Sequence, residues 1–406
     1  MNKAIAVIGM NYGDEGKGHI VNYLSDANTL NIRFNGGAQA AHTVFLSDGR
    51  NHVFRHFGSG SLRGARTLIA NKVIVNPILF VGEFEQLCKD MKIREVFIDP
   101  RCRVSTHWDM LINAFTSNFK GRNNTCGIGI NETIERSKFK QLKISMRDLQ
   151  DKTDSQLKNM LKRIENEYVP YRIEEELKLP LDIFKTYCKD RIKDPSQTTE
   201  SYLQTIKFMN QNCVVWPDDD LIDKFVAKDP GNRKIVFEGA QGMLLDQNRK
   251  EFFPFLTRSS TGIKNALHIL RTVRTKFELD VCLVTRAYLN RHGDGPIMHQ
   301  FHLPFERIEE NTNVPNQYQG AMRYGYLDEK WYYEAISETE LFFHDNKPKC
   351  IDRFDVGVAI TCIDHVDFIR YVNKNRQLIE GSINDFENVG LESYGRTEKD
   401  IKNRRR

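Results

Sequence analysis

The eight cysteines contain no CxxC pair, and no His/Cys cluster has metal-ligand spacing. Cys88, Cys102, Cys126, Cys188, Cys213, Cys282, Cys350 and Cys362 are scattered along the chain. That excludes a disulfide-stapled scaffold and a zinc module, and points to a reducing compartment. No apolar run approaches the roughly 20 residues that span a bilayer. From Lys3 the chain runs straight into a short strand pattern instead of a signal-peptide core, so a cytoplasmic protein without membrane partners is expected. Internal repeats and low-complexity tracts are also missing. Charge of one sign is not in excess: 59 Lys and Arg face 54 Asp and Glu, a net +5. This mild basicity suits a binder of small polyanions and is too weak to argue for nucleic acid. The basic cluster Lys402, Arg404, Arg405 and Arg406 reads as a solvated tail.

What is present is ordinary globular material: 406 residues, 40% hydrophobic and 28% charged. Ala4–Gly9 (AIAVIG) reads as a buried parallel strand, followed by a Gly-rich turn and a helical pattern. Further short strand candidates are Thr29–Phe34, Thr67–Ala70, Lys72–Val75, Glu95–Ile98, Lys234–Gly239, Asp280–Thr285 and Val356–Thr361. Helical patterns separate many of them, which predicts an α/β fold with a mainly parallel central sheet and flanking helices. Residues 145–230 are rich in Lys, Glu, Asp and Leu at helical spacing and are expected to form a helical insertion. It divides the α/β domain into an N-terminal part, 1–144, and a C-terminal part, 231–406. Residues 379–406 read as polar and loop-like.

The segment GMNYGDEGKGH (Gly9–His19) carries the most chemistry. A strand feeding Gly13, Gly16, Lys17 and Gly18 into a helix N-terminus makes an anion cradle, because glycine permits positive φ and the helix end presents free N–H groups. Lys17 can reach terminal phosphates as a point charge. The loop is not a Walker A motif: the interval from Gly9 to Gly16 is two residues longer, and Gly18 replaces the Mg²⁺-binding hydroxyl. Asp14 and Glu15 would repel phosphate, so they are expected to hold Mg²⁺ or take a proton. These features argue against a P-loop kinase or GTPase.

The loop resembles WGDEGKGK, the signature of adenylosuccinate synthetases. Gly36–Thr43 (GGAQAAHT) is similar to the family's GGxNAGHT, and Phe237–Asp246 (FEGAQGMLLD) to FEGAQGTLLD. FFPFLTRSS, TRAYLNRHGDGP, YGYLD, TCID and SYGRTE resemble later family landmarks in the family's order, so only the helical insertion is spared. The resemblance implies NTP- and Mg²⁺-dependent ligation of L-aspartate to C6 of a 6-oxopurine monophosphate through a 6-phosphoryl intermediate. It implies Asp14 as the base at N1, His42 as the acid at the 6-oxygen, and Gln241 at the 6-oxo group. Gly13, Glu15, Gly16, Lys17, Gly18 and Thr43 would take the NTP phosphates, and Asp364, Ser393 and Gly395 the NTP base. Gln39, Asn124, Thr125, Gln241 and Thr257 would hold the purine monophosphate, and Arg323, Arg286 and Gln319 the aspartate. Asp14 and the Ala41 carbonyl would hold Mg²⁺. A homodimer is implied by the same resemblance.

Departures bear on the substrate. The family's TTGRRRRTGWLD is QYQGAMRYGYLD here, leaving Arg323 alone, with Arg286, Arg291 and His292 as possible replacements. Bidentate donors near the aspartate and the ribose are therefore fewer. TTGRGIGP becomes NNTCGIGI, and Arg136 or Lys138 would have to serve as the arginine lent across a dimer. Cys362 replaces the lysine of TKLD, so the donor is GTP or ATP, with dATP admitted. These changes resemble the archaeal and phage side of the family, whose phage members ligate aspartate to dGMP for 2-aminoadenine DNA. The retained Asp14 pulls back towards IMP. The expectation favours dGMP, giving N6-succino-2-amino-2′-deoxyadenylate, with IMP as the alternative. A non-catalytic nucleotide-binding regulator is the reading from another class.

Overall fold

The computed structural model describes residues 2–120, 127–191, 198–301 and 321–404, so Asn124, Thr125 and Gln319 lie outside the described residues. Ten strands build the main sheet: Asn2–Gly9 (β1), Thr29–Arg33 (β2), Arg66–Ile69 (β3), Val96–Ile98 (β4) and Val214–Val215 (β5). Lys234–Gly242 (β6), Phe277–Arg286 (β7), Ile351–Thr361 (β8), Val389–Ser393 (β9) and Ile401–Asn403 (β10) complete it. The spatial order is β10-β9-β8-β7-β1-β6-β2-β3-β4-β5. Every neighbouring pair is parallel except the edge pair β9 and β10.

Alternation along β1 explains the layering. Ala4, Ala6 and Ile8 point into a core shared with Leu267 and Leu270 of the helix Lys264–Leu270 and with Trp331 and Tyr332 of the helix Glu329–Asn346. Val7 points to the other face, against Ile20 and Val21 of the helix Lys17–Leu24 (α1). Helices thus cover both faces. A second core joins the hairpin strands at 42–54, the helices Pro77–Asp90 and His107–Lys120, and the helices of 146–211.

Within 145–230, capping boxes start two helices, Ser145 with Asp148 and Thr153 with Gln156. The segment also contributes β5, which pairs with β4 at the sheet edge. Two expectations need correction. Ile74–Val75 stands outside the main sheet and pairs with Arg103–Val104. Residues 379–406 are not simply loop, since they supply β9 and β10; alternation there is short and mixed with Asn and Glu, so its strand signal is weak.

The order of the strands positions the site. From β1 the chain builds outward through β2, β3, β4 and β5, then returns to lay β6 between β1 and β2 before extending the other way. That reversal is a switch point, where open α/β sheets leave a crevice at the carboxyl ends of their strands.

Candidate active site

The loop after β1 is a left-handed turn at three positions: Gly13 (φ 95°), Asp14 (φ 58°) and Gly16 (φ 90°), the last forming the N-cap of α1. Asp14 bears a Cβ in a region that glycine prefers, and such outliers gather where geometry serves chemistry. Gln241, at the carboxyl end of β6, shares the feature at φ 66°. A Cβ on Gly13 would lie 3.2 Å from Gln241 Oε1, so the two loops meet side by side.

Glu15 is turned inward and fully buried. Its Oε1 accepts from the Asn11 and Gly13 amides (3.0 and 2.8 Å), and its Oε2 from Lys17 Nζ (2.6 Å). The carboxylate therefore shapes the loop and aims Lys17; it is not displayed to solvent as a metal ligand or base. Its contribution to a phosphate would come from its backbone. Thr361 Oγ1, at the end of β8, donates to the Glu15 carbonyl (2.7 Å), and Asn290 Nδ2 to that of Gly13 (3.3 Å). Arg286, at the end of β7, donates from Nε to the Asp14 carbonyl (2.6 Å) and from Nη1 to the Tyr288 hydroxyl (3.0 Å). The Asp14 carboxylate stays 37% exposed, with His292 Nε2 at 3.8 Å. It is the acid of the loop left available to a ligand.

His42 opens a short hairpin strand, His42–Phe45, and is buried against the start of α1. A Cβ on Gly18 would fall 2.7 Å from His42 Cβ, so only glycine allows this approach. Its Nδ1 lies 2.5 Å from Glu238 Oε1 and 3.2 Å from Arg33 Nη1. One nitrogen cannot both accept from the guanidinium and donate to the carboxylate. The shorter, charge-assisted contact makes Nδ1 the donor and leaves Nε2 for proton traffic. Glu238 and Arg33 stand opposite each other on β6 and β2, joined at 3.0 Å. Ser59 adds its amide (2.9 Å) and hydroxyl (2.5 Å) to the same carboxylate. Burial alone would raise the Glu238 carboxyl, but Arg33 and His42 hold it down at about 2. Burial pushes His42 below its ordinary value and Arg33 adds to that, against the pull of Glu238. Glu238 and Arg33 escaped the sequence reading; the visible signal was the FEGAQG motif, which drew attention to Gln241 instead.

The remaining expected residues fall around this centre. Gln39 packs on the glycine turn, where Cβ atoms on Gly36 and Gly37 would lie 3.4 and 3.1 Å from its amide, and its Oε1 is buried without a hydrogen-bond partner among the described residues. Ala41 and Thr43 flank His42, both half-buried. Thr257 is tied by its amide to the Leu245 carbonyl (2.9 Å). Ser393, at the end of β9, is buried with its hydroxyl on the Gly395 carbonyl (2.9 Å) and 3.0 Å from Nε2 of His19 on α1. Asp364 is exposed beside His365, past the left-handed Cys362 (φ 57°). Arg323 spends Nε and Nη2 on the Gly293 and Gly295 carbonyls (3.0, 2.6 and 2.6 Å). Arg291 is buried on the Pro296 and Phe255 carbonyls over the Tyr12 ring, and burial pushes its pKa down to about 10. Arg136 cannot be lent to another subunit: it is fully buried in an ion pair with Asp109 (2.7 Å). Lys138 is exposed and paired with Glu135.

No group of three or more metal-binding side chains occurs among the described residues. Mg²⁺ does not require one, since it is commonly held by one or two carboxylates together with substrate phosphates. One half-exposed carboxylate, Asp14, at the mouth of a phosphate cradle fits that donor set.

Comparison with known proteins bears on the family and the fold. A family model described as adenylosuccinate synthetase matches residues 6–339. The adenylosuccinate synthetase of Lactobacillus acidophilus is 30% identical over 318 residues, covering 76% of this chain and 66% of that one. That of Thermoplasma acidophilum is 28% identical over 297 residues, 73% of this chain, and the matched region spans only 63% of the relative's length. Among solved structures, the fully ligated adenylosuccinate synthetase from Plasmodium falciparum superposes with a TM-score of 0.70 at 16% identity, covering 99% of both chains. The succinoaminodeoxyadenylate synthetase of cyanophage S-2L, bound to dGMP and dATP as an energy donor, superposes with a TM-score of 0.58 at 12% identity. It covers 99% of this chain and 95% of the phage chain. At those identities the two structures speak for the fold.

Proposed function

The chain belongs to the adenylosuccinate synthetase family, and we propose that it joins L-aspartate to C6 of a 6-oxopurine 5′-monophosphate, consuming a purine nucleoside triphosphate. The observation that carries this reading is that β6 and the segments leaving the carboxyl ends of β1 and β2 carry three groups. They are a half-exposed Asp14, a Glu238-oriented His42, and Gln241 against Gly13. An available carboxylate and a positioned imidazole can divide the work at a purine amide: one takes the N1 proton while the other meets the charge growing on O6. Gln241 addresses the same 6-oxo group. Glu238 fixes the tautomer and orientation of His42 and favours the imidazolium that protonates O6.

The triphosphate would lie on Gly13, Gly16, Lys17, Gly18 and Thr43, with its base towards Asp364, Ser393 and Gly395. Mg²⁺, held by Asp14 and the Ala41 carbonyl, would supply charge neutralisation at the transferring phosphoryl group. Gln39, Asn124, Thr125 and Thr257 are proposed contacts of the monophosphate. Arg286, Arg323 and Gln319 are proposed for the aspartate. Arg323 would exchange the Gly293 and Gly295 carbonyls for a carboxylate.

Among substrates we favour dGMP. The support is the sequence QGAMRYGYLD, where a single arginine stands in place of the family's run, together with the dGMP and dATP bound to the structurally similar cyanophage enzyme. IMP is the second reading, and the retained Asp14 favours it. The test is product formation with aspartate, Mg²⁺, dGMP or IMP, and GTP, ATP or dATP, followed by mass spectrometry. A succinyl adduct on dGMP with little on IMP is expected. An adduct on IMP alone would replace the dGMP reading. Nucleotide binding without any adduct would select a regulator, and transfer without aspartate a kinase.

A further inference from the structure

A pocket of about 460 Å³ opens between the turn at residues 258–260, the helix Lys264–Leu270, the C-terminal end of the helix Glu329–Asn346, and the segments following β3 and β4. Six basic side chains line it, Lys72, Arg103, Arg258, Lys264, His268 and Arg271, and among the described residues no Asp or Glu does. Arg258 is neutralised by Glu135 and Arg271 rests on Asn346. Lys72, Arg103 and Lys264 have no ion-pair partner among the described residues. We infer that this pocket binds a phosphate-bearing anion, at a site that shares no residue with the cradle, the His42 network or the Arg323 loop.

The local physics favours an anion. Arg103 is half-buried without an acid of its own among the described residues, and a positive group in a partly desolvated wall is stabilised by an anion brought against it. Burial lowers the Arg103 pKa and Arg258 lowers it further. His268 is likewise held below its ordinary value, first by burial and then by Lys72 and Arg271. Planar forks from two arginines match phosphate oxygens bidentately, and lysines add point charge. The concave shape and the volume suit a small molecule more than a nucleic acid strand. The Ser259 hydroxyl of the same turn accepts from the Gly36 amide (3.2 Å), so an anion held here braces the glycine turn against which Gln39 packs.

This inference stands apart from the ligation reading. Pyrophosphate titrated calorimetrically into the full chain should show two classes of site, one in the Lys17 cradle and one here. Arg103→Gln and Lys264→Gln should each weaken one class about tenfold, the loss of a charge-assisted hydrogen bond, and leave the other unchanged. Lys17→Ala should do the reverse. Competition by dGMP or IMP for the Arg103-dependent class would make the pocket part of the monophosphate site already proposed and overturn it as a separate site. Displacement by inorganic phosphate alone would identify a free anion. Only the second result supports the pocket. A single class, removed by Lys17→Ala and untouched by Arg103→Gln and Lys264→Gln, would overturn it.

Discussion

At the scale of single residues, the two acids of the first loop have opposite fates. Glu15 is consumed by amides and Lys17, while Asp14 remains open to a ligand. Both look alike in GDEGKGH, because sequence shows which groups are present and not which backbone conformation turns each of them. Asp14→Asn is therefore expected to abolish adduct formation while keeping nucleotide binding; a variant retaining most of its rate would remove Asp14 from the base role. Glu238→Gln keeps the shape and removes the charge that orients His42. It should lower kcat about a hundredfold, within the range of a positioned acid, and lower the His42 pKa, read by NMR of the imidazole. An unchanged His42 titration would leave Glu238 a packing group only. The same carboxylate sets an acid limit. Its folded value, about 2, lies below its ordinary value of 4.5, so its stabilisation is complete above the latter and is lost as pH falls towards 2. Urea midpoints of the native chain should thus drop between about pH 5 and 3, and those of Glu238→Gln should drop less.

At the scale of elements, the strand at 4–9, its turn and α1 were legible because a β-branched run, glycines and a helix start follow each other within twenty residues. The helices of 145–230 were legible from Lys, Glu, Asp and Leu at helical spacing, while the capping boxes at Ser145 and Thr153 that start two of them went unread. β9 and β10 were not legible, since β9 is buried through Gly390, Glu392 and Ser393 as well as Leu391, and β10 is three residues with one buried, so neither carries an apolar period. Close packing between elements is also invisible in sequence. Gly18 passes as one more loop glycine, yet a Cβ there would meet His42 Cβ at 2.7 Å and Ser59 Oγ at 2.9 Å. Gly18→Ala should force α1 away from the hairpin, costing about 1–3 kcal/mol of stability as overpacking does. Most of the activity should be lost with it. A variant with native urea midpoint and native rate would mean that the hairpin yields freely.

At the scale of the whole molecule, β1, β2, β6, β7, β8 and β9 all deliver residues of the site from their carboxyl ends, although those residues span Asn11 to Ser393 in sequence. Their common address follows from parallel pairing and the switch point between β1 and β6, which no local pattern reveals. No described helix is long and apolar enough to cross a membrane. The central claim is that this crevice activates the purine 6-oxygen by phosphoryl transfer before aspartate attacks. It is tested most directly with dGMP and IMP carrying ¹⁸O at the 6-position, together with aspartate, Mg²⁺ and triphosphate. If the claim holds, one labelled oxygen appears in the inorganic phosphate for each succinyl adduct formed. Adduct formation with unlabelled phosphate would contradict it.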